Sequence, residues 1–391
     1  MFTLFVQSLV RYPKLLVSSL WPPSDSSARR TPKRVLIMLL FLPLFALLQM
    51  SHWFGFLLDE LFFRSYRKVE INKPVFVSGV PRSGTTMVHR TLALDTQFTT
   101  LSTWECLFAP SISQRRLIRL IARADGWIGR PLGRMSRWCE QRAFGGLGDV
   151  HGMSLADAEE DYFVFMPVLS CFILVVPFPY AQWLWDIGEF DRRVDPAQRQ
   201  RLMTYYRRCV QKHLYASGPG KRFLSKNASF PPLLGSLATE FPDARFVFCL
   251  RDPLEVVPSQ LSSLRSGMEF FCNDPYDFGF RDKMIDQLDY YYRNLIETPI
   301  PDEQRAWIKM NQFKPDLSVG VENIYKSLGL AMSDEYRKRL ATVSDAARDY
   351  CSAHDYRLDE FGLDAASLRA RFADTIAELE LGPATNTGAS V

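Results

Sequence analysis

Pro74-Val-Phe-Val-Ser-Gly-Val-Pro-Arg-Ser-Gly-Thr-Thr86 is the stretch on which the fold turns. Val75 to Val77 is a β-branched and aromatic run, the composition of a buried strand. Gly79-Val-Pro-Arg-Ser-Gly84-Thr-Thr follows, and then an apolar-periodic helix over about 86–94. Strand, glycine loop and helix make a phosphate cradle. Glycines let backbone amides approach an anion, and the helix N-terminus adds its partial positive charge. The spacing is that of a nucleotide P-loop, but Thr85-Thr86 stands where Lys-[Ser/Thr] should follow. A P-loop kinase or nucleoside triphosphatase would thus lack its lysine, and no magnesium-binding aspartate is evident. The cation lies inside the loop, at Arg82.

The rest of the composition narrows the classes. The chain has 391 residues, 47% of them hydrophobic and 23% charged, which suits a large globular core. A net charge of +4 fits an anionic ligand or a membrane surface and is too weak to argue for nucleic acid. The seven cysteines are scattered singly, with no C-x-x-C pair, as expected of reduced thiols in a reducing compartment. Five histidines and no H-E-x-x-H give no reason to expect a metal.

Outward from the loop, three regions are expected: 1–72, an amphipathic and hydrophobic membrane-associated segment; 73–381, the catalytic domain; and 382–391, a disordered tail. Residues 1–20 alternate apolar and basic positions, the pattern of an interfacial helix. Residues 21–34 read as a Pro/Ser-rich linker ending in a basic cluster. Val35 to Leu58 is long enough to cross a bilayer, which takes ~20 apolar residues, but Pro43 sits inside it. Three readings stay open: one span with the basic cluster on the cytoplasmic side, a helix broken at Pro43 that enters and leaves the same face, and a buried soluble hairpin. A basic helix over 111–124 reads as an acceptor lid or a membrane-facing surface, and 154–166 as a helix. Alternating strands and helices after Lys73 imply a mostly parallel sheet with helices on both faces.

Four separated stretches resemble the sulfotransferases that use PAPS (3′-phosphoadenosine 5′-phosphosulfate), over about residues 60–380. Gly79-Val-Pro-Arg-Ser-Gly-Thr-Thr86 is similar to their 5′-phosphosulfate loop, in the form that tyrosylprotein sulfotransferases share. Phe246-Val-Phe-Cys-Leu-Arg251-Asp-Pro-x5-Ser259 resembles their 3′-phosphate site, and Phe223-Leu-Ser-Lys226-Asn a segment of the bacterial group. His354-x-Tyr-x-Leu-x-x-Phe-Gly362 is similar to that group's closing motif. The resemblance implies an α/β sulfotransferase fold and PAPS as co-substrate, without a metal. Arg82, Ser83, Gly84, Thr85 and Thr86 would hold the phosphosulfate, with Arg82 also meeting the departing charge. Arg251 and Ser259 would hold the 3′-phosphate, and Lys226 would join the cofactor site. The apolar N-terminal segment suggests that the acceptor would be a hydroxyl on a membrane-proximal lipid, glycolipid or glycan; the scattered cysteines would place the catalytic domain on the cytoplasmic face of a bacterial inner membrane, the alternative being that the protein is a Golgi type II membrane enzyme. A tethered nucleotide-binding protein without catalysis is the non-enzymatic alternative.

A base must take the acceptor's proton. Glu105 follows the second strand at a spacing similar to that of the tyrosylprotein enzymes' glutamate. His151 is the second candidate; with Glu159 and Glu160 it resembles a stretch of the bacterial group implied to line the acceptor pocket. Relatives place a histidine four residues after the lysine, where Phe230 stands here. His89 reads as packing.

Overall fold

The computed structural model describes residues 1–135, 138, 157–313, 316–347 and 358–381. His151, most of the motif from His354 and the tail from 382 lie outside the described residues.

Five parallel strands form one sheet in the order β2-β3-β1-β4-β5. They are β1 (Val75–Gly79), β2 (Phe98–Thr99), β3 (Arg222–Asn227), β4 (Arg245–Leu250) and β5 (Arg305–Lys309). Helices cover both faces, so the inner strands are almost entirely buried. Side chains alternate across a strand, and here the alternation sorts by type. Phe76, Phe246 and Phe248 point to one face, where Phe76 and Phe246 stack with ring centroids 5.5 Å apart. Val75, Val77, Val247 and Cys249 point to the other. The chain runs from β1 outward to β2 and β3, then crosses to β4 and β5. The order therefore reverses between β1 and β4, and in such sheets that crevice at the carboxyl ends is where ligands bind.

The first two helices belong to the aromatic core. α1 (Phe2–Leu20) contributes Leu4 and Leu15, and α2 (Pro32–Phe62) contributes Met38, Leu42, Phe45 and Phe56. α2 is a single helix of 31 residues, so of the three open readings the helix broken at Pro43 is the one the structure does not form. Pro43 lies on the exposed side, so the carbonyl it leaves without an amide partner is not buried. Thr31 caps α2, its side chain accepting from the Arg34 amide at 3.1 Å, and Pro32 occupies the first turn. Among the described residues this is the one helix long and apolar enough to cross a membrane, by length and composition.

The helix expected over 154–166 is also corrected over its described part, 157–166. Instead of an α-helix, Ala158 bridges to Ser102 and a 3-10 helix runs from Asp161 to Val168, with Pro167 inside it. With the bridge, the Thr103 amide donates to the Asp157 carbonyl at 3.0 Å and the Glu159 amide to the Leu101 carbonyl at 3.1 Å, which ties 157–159 to the chain just beyond β2.

Candidate active site

Two glycines permit the loop after β1. A Cβ on Gly79 would lie 2.2 Å from the Cys249 carbonyl of β4, and Gly84 takes a left-handed φ of +83°. Arg82 also has a left-handed φ, +68°, a conformation that costs free energy for a residue with a side chain. Ser83 closes the loop, its amide and its hydroxyl both donating to the Val80 carbonyl, at 3.2 and 2.6 Å. α3 (Thr85–Leu92) then starts with its amides facing the loop.

The predicted anion groups converge. Arg82 Nε donates to Ser259 Oγ at 3.0 Å, and Arg251 Nη1 donates to the Arg82 carbonyl at 3.2 Å. Tyr292 fixes Arg251 from behind, its hydroxyl donating to the Arg251 carbonyl at 2.6 Å. Arg251 also forms an ion pair with Glu255 at 2.6 Å, a partner absent from the sequence reading, although the i,i+4 spacing signals it. Arg82, Gly84, Thr85, Thr86 and Arg251 line a cavity of about 940 Å³. Ser83 and Ser259 are buried directly behind that lining.

Across the cavity stand Glu159 and Glu160. Lys226, at the end of β3, reaches both, with Nζ 3.3 Å from Glu159 Oε1 and 3.2 Å from Glu160 Oε1. Burial pulls the Lys226 ammonium down, but Glu160 and Glu159 more than restore it, so it remains charged. Burial pushes the Glu160 carboxyl above its ordinary range, against the pull of Lys226 and with a further push from Glu159. Next in the chain, Asp161 accepts from Ser225 Oγ at 3.0 Å and from the Tyr206 hydroxyl. Burial lifts it to about 7 even so. These three acids, consecutive in an otherwise apolar region, are the signal by which a sequence reading could have weighted this site. An apolar and aromatic part of the wall is made by Tyr162, Phe163, Phe172, Ile173, Met284 and Tyr291.

Glu105 is not brought to the cavity. It is the third residue of α4 (Thr103–Leu107), and its carboxylate accepts from the Ser102 amide at 3.2 Å in a capping box. Buried beside it are Arg115 of α5 (Ile112–Trp127), 3.7 Å away, and His213, 3.6 Å away, with Arg119 at 3.4 Å. Burial raises its carboxyl, but Arg115 and its other partners outweigh that and hold it low. Burial keeps His213 neutral, at about 3, with Arg115 adding to the effect. A low, ion-paired carboxylate sealed from the cavity has the features of a structural group. His151 lies outside the described residues. His89 is fully buried, with Nε2 2.9 Å from Thr100 Oγ1.

A sulfotransferase family model matches residues 74–334, a range that includes β1, the loop after it, Lys226 and Arg251. The chain belongs to the sulfotransferase family. This sulfotransferase is 25% identical over 310 residues to the omega-hydroxy-beta-dihydromenaquinone-9 sulfotransferase Stf3 of Mycobacterium bovis, covering 74% of this chain and 70% of that protein. The Stf3 of Mycobacterium tuberculosis matches equally. In fold it is similar to sulfotransferase STF9 from Mycobacterium avium, with a TM-score of 0.74, 18% identity and 98% and 97% of the two chains covered. STF1 from Mycobacterium tuberculosis follows, with a TM-score of 0.68, 20% identity and coverage of 94% and 92%.

Proposed function

We propose that this enzyme transfers the sulfuryl group of PAPS to the hydroxyl of a membrane-proximal lipid, glycolipid or glycan. One observation carries the reading: a single cavity takes its lining from both anion-binding loops, from the Glu159–Glu160 pair and from an apolar wall. A two-ended anion fits the two loops. The amides of the first loop and Arg82 suit a phosphosulfate, and Arg251 with Ser259 suits a 3′-phosphate. The apolar wall suits a lipid portion of an acceptor, and a relative is named for a hydroxylated menaquinone. Unpaired cysteines among the described residues and the apolar N-terminal helices favour the cytoplasmic face of a bacterial inner membrane.

In the proposed reaction the acceptor oxygen bonds to sulfur while the bond from sulfur to the 5′-phosphate oxygen breaks. The electron pair leaves on that phosphate oxygen, where Arg82 and the loop amides meet the growing charge. The acceptor proton passes to Glu160, whose raised pKa brings its basicity closer to neutrality. Lys226 holds Glu159 and Glu160 in place. The base assignment thus moves from Glu105 to Glu160, because Glu160 lines the cavity and Glu105 does not.

Calorimetry tests the nucleotide half: binding of adenosine 3′,5′-bisphosphate with little binding of ATP is expected, and the reverse order overturns it. Incubation with ³⁵S-PAPS and a bacterial membrane lipid extract tests the acceptor half. A labelled lipid, glycolipid or lipid-linked glycan is expected, and no label above the boiled-enzyme background across such extracts would overturn the transferase reading.

A further inference from the structure

We propose that the outward stripes of α1, α2 and α5 form one docking face for an anionic lipid leaflet, with α2 lying along the bilayer plane rather than across it. The proposal stands whether or not the sulfuryl acceptor is a lipid.

α2 is fastened to the catalytic body at both ends by buried charges. Near its start, fully buried Arg34 donates from Nη1 to Asn273 Oδ1 at 2.7 Å and to the Phe271 carbonyl, and from Nη2 to the Pro177 carbonyl at 3.2 Å. Near its end, fully buried Asp59 pairs with Lys212 at 2.8 Å. Asp59 also accepts from the amides of Ile112 and Ser113, at 2.9 and 2.8 Å, at the start of α5. Between the clamps, Phe41 meets Phe271 edge-on at 5.1 Å, and Trp53 Nε1 donates to the Pro167 carbonyl at 3.0 Å. Arg34 and Asp59 are 25 positions apart, about 37 Å at the ~1.5 Å rise of an α-helix. A hydrocarbon core is ~30 Å thick. A spanning α2 would therefore carry Asn273 to one side and Lys212 to the other, with the charged body between them in the lipid. An in-plane helix needs nothing of the kind.

The opposite stripe of α2 is apolar and exposed, through Leu40, Leu44 and Leu47. Leu9 and Val17 on α1 and Leu120 on α5 continue it, and Trp127, 89% exposed, stands at the end of α5. Cations flank the stripes. Arg116 and Arg123 are exposed beside Leu120 on α5, as are Lys14 on α1 and Lys33 at the start of α2. Residues 1–72 carry nine Lys/Arg against four Asp/Glu, so the excess of +4 in the whole chain arises there and the remainder is close to neutral. An apolar face edged by cations matches a leaflet with anionic headgroups, and matches a second, equally cationic copy of this chain poorly.

Full-length protein is floated with vesicles of phosphatidylcholine alone or mixed equally with phosphatidylglycerol. Binding to the mixed vesicles, weakened by salt, is expected. The triple variant Leu40→Glu, Leu44→Glu, Leu47→Glu should lose flotation at least tenfold while binding adenosine 3′,5′-bisphosphate as the wild type does. Orientation is read with Ser24→Cys and Ser65→Cys, which flank α2, and a membrane-impermeant maleimide. Both positions should label from outside, above the background of the native cysteines. Protection of one of the two overturns the in-plane arrangement. Vesicle-independent dimers that the triple variant abolishes, without flotation of the wild type, overturn the choice of lipid as occupant.

Discussion

Replacing Lys226 with Met should move the acid limb of turnover to higher pH. Lys226 Nζ lies 3.2 Å from Glu160 Oε1. At an effective dielectric constant of ~20, one such pair is attractive by about 5 kcal/mol, which bounds the effect from above. Part of that is replaced by water and local rearrangement when the cation is removed, and an opposite charge this close typically lowers a carboxyl by about 1–3 pH units. The sign follows from the base role. Glu160 works ionised, so turnover is full above its pKa and is lost as the pH falls through it. Burial has already raised that pKa; without Lys226 it rises further, and the limb shifts upward by about 1–3 pH units. The readout is ³⁵S transfer to lipid extract at saturating PAPS across a pH series, so that weakened PAPS binding does not masquerade as a titration. Glu160→Gln should remove the limb and cut the plateau by a factor of about 10²–10⁴. Lys226 reaches Glu159 as well as Glu160, so Glu159→Gln is the control that assigns the step. An unmoved limb in Lys226→Met, or full turnover in Glu160→Gln, refutes the reasoning.

Three further outcomes follow from the same contacts. Glu105→Gln should lower the thermal midpoint, because it leaves buried Arg115 without its carboxylate, while the acid limb keeps its position; a shifted limb would return the base to Glu105. Asp59→Asn should destabilise the whole chain by about 3–5 kcal/mol by stranding buried Lys212, and Asp59→Asn with Lys212→Met should recover much of it; urea melts of the singles and the double give the coupling, and additive effects would mean the clamp is absent. Glu255→Gln should tighten adenosine 3′,5′-bisphosphate binding by up to about fivefold, since it frees Arg251 from a partly exposed pair worth about 1 kcal/mol or less; weaker binding would place the 3′-phosphate elsewhere.

What could be read from the chain depended on how local the cause was. β1, its loop and α3 are contiguous, so composition and glycine spacing were enough. Arg251 was legible for the same reason, since a strand that ends in Arg-Asp-Pro carries its own stop and helix start. Glu105 was not. Its environment is made by Arg115 and His213, which come from α5 and from the helix Pro196–Ser217, and no spacing around Glu105 announces them. The Glu159–Lys226 contact joins residues 67 apart in sequence, and the placement of 157–159 goes with a bridge from Ala158 to Ser102, itself 56 residues away. Pro43 misled in the other direction. A breaker by propensity, it is tolerated because both flanks of α2 are held by tertiary packing and its bare carbonyl is not buried.

The two short turns Asp161–Val168 and Phe172–Val175 have two neighbours. On one side they supply Tyr162, Phe163, Phe172 and Ile173 to the cavity. On the other, the Pro167 carbonyl accepts from Trp53 of α2 at 3.0 Å and from Ser8 of α1 at 3.3 Å. The same two 3-10 segments thus touch both the reaction chamber and the helices proposed to rest on lipid. An acceptor dissolved in that leaflet would reach the enzyme by lateral diffusion, without first entering water. Its mole fraction in the membrane, not its concentration in the bulk, would then set the degree of saturation. Diluting the same acceptor with inert lipid should slow the enzyme even when the total amount of acceptor in the tube is unchanged.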